Sequence, residues 1–406
     1  MRQRLLGLTA LATFGALALN AAPVHAATTC AFDVRGKRMA LRADCETDAS
    51  ILVPDGFTLD GRGHSIVAVD PPGGHFLGAI VRNAAPGATM NVRNVVIEAR
   101  ALVSVCDPSG PPDLRLAGIL IEDGSGSVRG SRVLGINQGQ SGCQEGTAIA
   151  VRASSGAEST ARSVRITGNR VEGYQKTGIL VNGNADAVVE LNVVTGLGPV
   201  DFIGQNGIQL GLGARGRVVR NHISQNLYTQ TDAASAGVLL LNAGIPVEIT
   251  GNAIEDCDVG VRLVSTSEAV VENNLISSST YDAIAVDGSQ GESSGSLIVG
   301  NRLFFNAVGI GLYGEGAQLN LVEDNVLSSQ TNQGVFVDPA ASDNGVRGNR
   351  VLQTQGTGIT VAGNGNAIEG NRVLASSVLD IANLGADNEY TGNRCVSSSG
   401  PPVDCP

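Results

Sequence analysis

A short strand pattern that recurs along the chain limits the possible fold more than any other feature of the sequence. In each copy a glycine opens an alternation of apolar residues, as in Gly178-Ile179-Leu180-Val181 and Gly260-Val261-Arg262-Leu263. Further copies begin at Gly118, Gly207, Gly237, Gly309, Gly334 and Gly358. Alternation with a period of two is typical of half-buried β-strands. The sequence therefore predicts a chain built of many short strands.

A second pattern, with an asparagine between two apolar alternations, follows each of these strands. Asn252 and Asn274 are 22 residues apart, and Asn301 and Asn325 are 24 apart. A repeat of this length made only of strands and turns indicates a solenoid. A β-propeller would need four strands per blade, and a leucine-rich repeat would need a leucine framework that is missing here.

These repeats resemble those of the right-handed parallel β-helix repeat family, whose members include pectate lyase-like enzymes. The resemblance covers residues 51–394, and Thr58-Leu59-Asp60-Gly61-Arg62-Gly63 is similar to the opening segment of the family. It implies an all-β fold, a single right-handed parallel β-helix of about a dozen coils. The recurring asparagines are then expected to form a ladder between coils and to take the left-handed conformation of a tight turn.

Caps are expected at both ends of such a solenoid, because its terminal strands would otherwise expose unpaired edges. We assign residues 27–50 to an N-terminal cap and 395–406 to a C-terminal cap. Residues 1–26 resemble a signal peptide, with Arg2 and Arg4 before an apolar run and Ala26 at the cleavage site. The alternative, an uncleaved anchor, is disfavoured because the run is shorter than the about 20 residues that span a bilayer. We therefore expect a secreted monomer, extracellular or periplasmic, without a membrane span.

Cysteine usage fits an oxidising compartment. The chain has seven cysteines and no C-x-x-C pair, so disulfides are favoured over metal binding by thiolates. The predicted pairs are Cys30–Cys45, Cys106–Cys143 and Cys395–Cys405, which leaves Cys257 as a buried free thiol. A net charge of -11 argues against a nucleic-acid partner, which would require a basic surface.

Insertions point to one binding face. They lengthen the coils at residues 101–116, 135–147, 224–236 and 288–296. Three of them precede a glycine-led strand, so we expect them to overhang the same face, and loops gathered on one face of a solenoid usually mark its binding surface.

Aligning the coils on the strand glycine brings Asp258, Arg262 and Tyr281 into two adjacent coils, with Lys176 further along the same groove. An acid, a base, a ring that stacks on sugars and a cation that neutralises a uronate suit polysaccharide chemistry, so these four are the candidate catalytic residues. The candidate substrate-binding residues are Tyr174, Asp201, Gln209, Tyr228 and Asp282. The alternative is that Asp258 and Arg262 form an exposed ion pair with little influence on stability.

Two classes of function remain open. One is a secreted enzyme, a polysaccharide lyase or glycoside hydrolase, and the other is a non-catalytic β-helix that binds glycans or forms a surface. No polygalacturonase motif occurs, and the Asp-Pro-His element of mannuronan epimerases is absent because Asp338-Pro339 is followed by Ala340. No cofactor or metal site is assigned. Calcium at Asp256 and Asp258 is one interpretation of these acids, and exposed turn residues are the other.

Overall fold

The computed structural model describes residues 28–105, 114–154, 160–400, 403 and 405. The regular elements of these residues are 42 β-strands, numbered in chain order and arranged in three sheets. Sheet 1 has fourteen strands, which are β4 (Ile51–Val53), β7 (Ala79–Asn83), β10 (Ala117–Glu122), β13 (Thr147–Arg152), β16 (Thr177–Asn182), β19 (Asn206–Gly211), β22 (Ala236–Leu241), β25 (Val259–Val264), β28 (Asp282–Asp287), β31 (Val308–Tyr313), β34 (Gln333–Val337), β37 (Thr357–Val361), β40 (Ile381–Asn383) and β42 (Ser398–Ser399).

The other two sheets are built in the same way. Sheet 2 has fifteen strands, which are β1 (Phe32–Arg35), β2 (Arg38–Leu41), β5 (Phe57–Asp60), β8 (Met90–Arg93), β11 (Gly126–Arg129), β14 (Arg162–Thr167), β17 (Ala185–Glu190), β20 (Arg215–Val219), β23 (Val247–Thr250), β26 (Ala269–Glu272), β29 (Leu297–Val299), β32 (Leu321–Glu323), β35 (Gly345–Arg347), β38 (Ala367–Glu369) and β41 (Glu389–Thr391). Sheet 3 has thirteen strands, which are β3 (Cys45–Thr47), β6 (Ser65–Ala68), β9 (Val96–Ala99), β12 (Arg132–Leu134), β15 (Arg170–Glu172), β18 (Val193–Val200), β21 (His222–Tyr228), β24 (Ala253–Cys257), β27 (Leu275–Ser277), β30 (Arg302–Phe304), β33 (Val326–Ser328), β36 (Arg350–Leu352) and β39 (Arg372–Leu374).

Each coil contributes one strand to sheet 1, then one to sheet 2 and one to sheet 3. The 36 strands from β4 to β39 thus form twelve coils in the described part of the chain. Strands of successive coils pair in parallel, with Thr177 opposite Asn206 and Ile179 opposite Ile208. At the N-terminal end of sheet 2, β1 and β2 pair antiparallel. The predicted parallel β-helix of about a dozen coils is confirmed.

The core is a stack of aliphatic side chains from all three sheets. In the coil that starts at β16, Ile179, Val181, Val189 and Val194 are fully buried, because alternate residues of each strand point inward. The strand glycine is required by close packing at the corner between sheets 3 and 1. A Cβ at Gly178 would lie 2.6 Å from Val194 Cγ1 and 2.6 Å from the Gly207 carbonyl oxygen.

The asparagine ladder lies at the turn between sheets 2 and 3. It contains Asn169, Asn192, Asn221, Asn252, Asn274, Asn301, Asn325, Asn349, Asn371 and Asn393. Asn252 Nδ2 donates to Asn274 Oδ1 at 2.9 Å, and the backbone N–H of Asn252 donates to the same oxygen at 2.9 Å. Each rung therefore satisfies buried polar groups of two coils.

One detail of the ladder differs from the prediction. The residue with the left-handed conformation is the one before each ladder asparagine, such as Leu191 with φ 56° and Arg220 with φ 53°. The asparagine amide must point along the stack to reach the next coil, so the preceding residue makes the tight turn. A second, shorter ladder of Asn320, Asn344, Asn366 and Asn388, which was not predicted, lies between sheets 1 and 2.

Disulfides connect Cys30 to Cys45 and Cys395 to Cys405, which confirms two predicted pairs, and Cys257 is a buried free thiol as predicted. The predicted Cys106–Cys143 pair includes Cys106, which lies outside the described residues, as does the predicted signal peptide at 1–26. Within the described ranges, no helix has the length and apolar character needed to cross a bilayer.

Candidate functional site

A groove runs along the outer face of sheet 1, below loops that enter this sheet from sheet 3. Residues 135–146, 201–205 and 229–235 precede β13, β19 and β22, respectively. By contrast, residues 288–296 lie between sheets 1 and 2, at another corner of the coil. Outward residues of successive strands are in register along the groove, with Leu180 opposite Gln209 and Leu239 opposite Arg262. A ligand on this face would therefore meet one row of side chains per coil.

Two connected depressions make up the groove. The first, here called the cationic depression, has a volume of about 390 Å³, and its polar lining includes Arg115, Gln144, Arg152, Lys176, Asn182 and Gln209. Three of these side chains are basic, and none of the described residues that line the depression is a carboxylate.

The second depression has a volume of about 360 Å³ and is lined by Phe202, Tyr228, Asp232 and Arg262 among others. Gln144 and Lys176 line both depressions, so the two form one continuous surface.

Lys176 lies at the junction of the two depressions. Its Nζ donates a hydrogen bond to the Gly204 carbonyl oxygen at 2.6 Å, which fixes the ammonium group beside residues 201–205. Burial disfavours the charged form and lowers the pKa of Lys176 to about 8. The side chain is therefore mostly protonated at neutral pH and loses its charge under mildly alkaline conditions.

Asp258 has a different role from the one expected of an exposed acid. Its side chain is buried, and Oδ2 accepts hydrogen bonds from the backbone N–H groups of Tyr228 and Ser235, each at 2.9 Å. Tyr228 directly precedes the loop at 229–235 and Ser235 is its last residue, so Asp258 anchors both ends of one wall of the groove. Burial raises the pKa of this carboxyl group. The alternative interpretation, an exposed ion pair between Asp258 and Arg262, is wrong.

Arg262 pairs instead with a residue of the next coil. Its guanidinium lies 2.7 Å from Asp287 Oδ2. Asp282, at the other end of the same strand as Asp287, accepts a hydrogen bond at 2.6 Å from the hydroxyl of Tyr313. Four side chains from three adjacent strands of sheet 1 thus form a polar cluster, here called the acid cluster, which consists of Arg262, Asp282, Asp287 and Tyr313. Because Arg262 also lines the second depression, the acid cluster adjoins the groove.

Of the remaining predicted site residues, some line the groove and others do not. Tyr174 does not reach the groove, because its ring is fully buried in the core and its hydroxyl donates to Asn226 Oδ1. The prediction that it binds substrate is therefore wrong. Gln209 and Tyr228 line the groove, and Asp201 is exposed beside Tyr228, whose pKa is raised by burial and then by the Asp232 carboxylate. Tyr281 is 37% exposed.

Comparisons with known proteins agree with this architecture. Residues 236–395 match the family model described as the right-handed beta helix region. The chain is a parallel β-helix protein. No curated protein matches it in sequence.

Two solved structures are similar to the β-helix in fold. The periplasmic alginate epimerase AlgG has a TM-score of 0.54 and 12% identity, over 89% of this chain and 79% of the epimerase. The catalytic unit of a GH87 alpha-1,3-glucanase from Streptomyces thermodiastaticus has a TM-score of 0.50 and 12% identity, over 89% of this chain and 63% of the glucanase. The TM-scores show a shared fold, whereas identities this low carry no information about function, which must be argued from the site.

The acid cluster contains residues that the sequence reasoning missed. Alignment on the strand glycine drew attention to the start of each strand, whereas Asp287 and Tyr313 are the last residues of β28 and β31 and lie opposite each other. Alignment on the strand ends would have placed these two polar residues in adjacent coils of the β-helix.

A calcium site at Asp256 and Asp258 is not supported by the geometry. Asp256 accepts a hydrogen bond from Gln225, and the Asp258 carboxylate is directed at backbone N–H groups. Among the described residues, no three histidine, cysteine, aspartate or glutamate side chains are grouped closely enough to hold a metal ion.

Proposed function

We propose that the groove binds a polysaccharide that contains carboxylated sugars. The observation that carries this proposal is the cationic depression, where Arg115 and Lys176 lie together among amide side chains and none of the described lining residues is a carboxylate, on a chain whose net charge is -11. Such a local reversal of charge attracts an anion at short range, because screening limits the repulsion from the rest of the chain to about 8 Å at physiological salt.

The dimensions of the groove favour a polymer over a small metabolite. The two depressions are lined by residues from β13, β16, β19, β22 and β25. Strands in a sheet are about 4.8 Å apart, so these five strands span about 19 Å. Amide side chains supply hydrogen bonds in the cationic depression, and Phe202 and Tyr228 supply rings in the second depression, where a sugar face can stack. The two proteins of similar fold are an alginate epimerase and an alpha-1,3-glucanase.

The disulfides and the predicted signal peptide support a location outside the cytoplasm. The disulfides Cys30–Cys45 and Cys395–Cys405 are typical of an oxidising compartment, and the predicted signal peptide would direct the protein there. We place the protein outside the cytoplasm, in the periplasm or the extracellular space, where it would meet an acidic polysaccharide.

Calorimetric titration with defined oligosaccharides of galacturonate, mannuronate and glucuronate tests the binding proposal. Lys176→Met should weaken binding of the recognised oligosaccharide at least tenfold, and added salt should weaken binding to the unmodified protein. Arg302→Ala is the matched control, because it removes one positive charge from the exposed surface of sheet 3. Equal effects of the two substitutions, or tighter binding of neutral glucans than of uronates, would contradict the proposal.

A non-catalytic glycan-binding protein remains the second candidate function. The observation that favours it is that none of the described residues lining the cationic depression is a carboxylate, so this depression offers no carboxylate for acid or base catalysis among them. Substitutions in the acid cluster at the end of the groove test whether binding is accompanied by catalysis.

A further inference from the structure

The acid cluster is held by contacts between three successive coils. Tyr313 of β31 donates to Asp282 Oδ1 at 2.6 Å, and Arg262 of β25 contacts Asp287 Oδ2 at 2.7 Å. Asp287 Oδ1 also accepts hydrogen bonds from the backbone and the hydroxyl of Ser289. Asp287 therefore has a cation and two further donors, whereas Asp282 has a single donor, the Tyr313 hydroxyl, among these contacts.

A glycine makes room for this arrangement. A Cβ at Gly311 would lie 2.3 Å from Tyr313 Cε2 and 2.4 Å from its hydroxyl oxygen. The tyrosine ring therefore lies along its own strand, over Gly311, and its hydroxyl reaches Asp282 at the opposite end of the neighbouring strand. Ala285, which is opposite Gly311 on the neighbouring strand, also has a small side chain. The surface beside the two carboxylates is consequently shaped by small residues.

The two carboxyl groups have different proton affinities. Burial, which the Tyr313 hydrogen bond and the charge of Arg262 only partly offset, raises the pKa of Asp282 to about 6. The hydrogen bonds from Ser289 and Arg262 outweigh burial at Asp287 and lower its pKa. Just below pH 6, therefore, Asp282 is mostly protonated while Asp287 is ionised. A pair separated in this way is the usual arrangement of a proton donor beside a stabilising anion.

We propose that the acid cluster hydrolyses glycosidic bonds of the polymer held in the groove, with Asp282 as the proton donor, Asp287 as the anionic partner and Tyr313 as a positioning residue. This inference rests on the proposed binding function and adds a reaction to it. The adjoining position of Arg262 in the second depression places the cluster at one end of the bound chain.

The reaction balances with water as the only co-reactant. Asp282 gives its proton to the bridging oxygen as the bond between that oxygen and the anomeric carbon breaks. Positive charge that develops on the sugar ring is stabilised by the Asp287 carboxylate. Water then adds its oxygen to the anomeric carbon and releases a proton to Asp287, and exchange with solvent restores both acids.

Elimination, the other route for a uronate polymer, fits the cluster less well. It needs a base to remove a carbon-bound proton and a free cation to neutralise the sugar carboxylate. Asp282 is a weak base when it is half protonated, and burial raises the pKa of the Tyr313 hydroxyl well above its ordinary value. Arg262 is already paired with Asp287. The cluster is therefore better suited to donating a proton than to removing one.

The test uses whichever polyuronate binds in the titrations above, incubated in water enriched in oxygen-18. The unmodified protein should generate new reducing ends that carry one heavy oxygen. Asp282→Asn should lower the rate at least 100-fold, within the range for loss of a general acid, while binding changes less than threefold. Asp324→Asn, which alters an exposed turn acid, should leave the rate unchanged.

The pH profile separates positioning from mere structural support. Activity should fall as the pH rises through about 6, because Asp282 then loses its proton. The groups that face Asp282 are Tyr313 from β31, Arg262 from β25 and Asp287 from its own strand. Since the Tyr313 hydrogen bond lowers the pKa of Asp282, Tyr313→Phe should move the falling limb to higher pH.

Three results would overturn the proposal. Unsaturated chain ends, detected by ultraviolet absorbance, would show elimination. An unchanged rate in Asp282→Asn would remove the assigned acid. Tight binding of a polyuronate without cleavage would refute hydrolysis and leave the binding function intact, whereas failure of every polyuronate to bind would refute both.

Discussion

Replacement of Asp282 by asparagine is expected to stabilise the folded protein at alkaline pH. The carboxyl group is buried, and its pKa rises from 3.8 to about 6 on folding. An acid whose pKa is raised by folding binds more protons in the folded state than in the unfolded state. The stability of the wild-type protein therefore falls as the pH rises from about 4 to 6, and the full penalty remains at higher pH.

The magnitude follows from the same two pKa values. Their difference corresponds to about 3 kcal/mol of folding free energy above pH 6, and to less than about 1 kcal/mol at pH 4. Asparagine can still accept the Tyr313 hydroxyl, but its amide N–H groups need partners, at a cost of about 1 kcal/mol. A net gain of about 1–3 kcal/mol at pH 8 is expected for Asp282→Asn, with little or no gain at pH 4.

Urea denaturation followed by circular dichroism, at pH 4 and pH 8, measures this difference. Because repeat arrays can unfold in parts, protection of the β28 amides from hydrogen exchange serves as a local readout. Asp324→Asn is the control at both pH values. If Asp282→Asn destabilises the protein equally at pH 4 and pH 8, the carboxyl group carries no burial penalty and the reasoning fails.

Three further predictions concern the ladder, the groove wall and the groove cation. Asn301→Ala removes hydrogen bonds to three buried partners and should lower the unfolding free energy by about 2–4 kcal/mol in urea titrations, whereas exposed Asn332→Ala should change it by less than about 0.5 kcal/mol. Asp258→Ala should accelerate hydrogen exchange at residues 229–235, because both ends of this loop lose an acceptor; unchanged exchange would contradict the anchoring role. Polyuronate affinity should fall as the pH rises through about 8, where Lys176 loses its charge, and Lys176→Arg should remove this pH dependence.

The repeat pattern predicted most of the fold because the same physical constraint acts on every coil. Each inward position must be aliphatic, and each corner beside sheet 3 must admit a close backbone approach, as at Gly178. These requirements leave a periodic trace in the sequence. The exact turn geometry was predicted less well, since the left-handed residue precedes the ladder asparagine, as Leu191 precedes Asn192. Spacing alone does not separate two neighbouring turn positions.

The site was predicted only in part, because it depends on contacts that occur once and are not repeated from coil to coil. The placement of Gln209, Tyr228 and Arg262 on the groove follows from strand register. The burial of Tyr174 and Asp258 depends on how turns and loops fold back, which alternation does not encode. The Asp282 contact depends on a tyrosine that crosses its own strand above a glycine.

Two lysines make the central claim directly testable. Lys176 lies in the groove, and Lys37, the other lysine in the sequence, is exposed between β1 and β2. Acetylation of the folded protein with and without a saturating oligouronide, followed by peptide mass spectrometry, compares the two amines in one sample. The account predicts that the oligouronide protects Lys176 severalfold and leaves the labelling of Lys37 unchanged. Equal labelling of Lys176 in the presence and absence of a bound oligouronide would contradict the groove assignment.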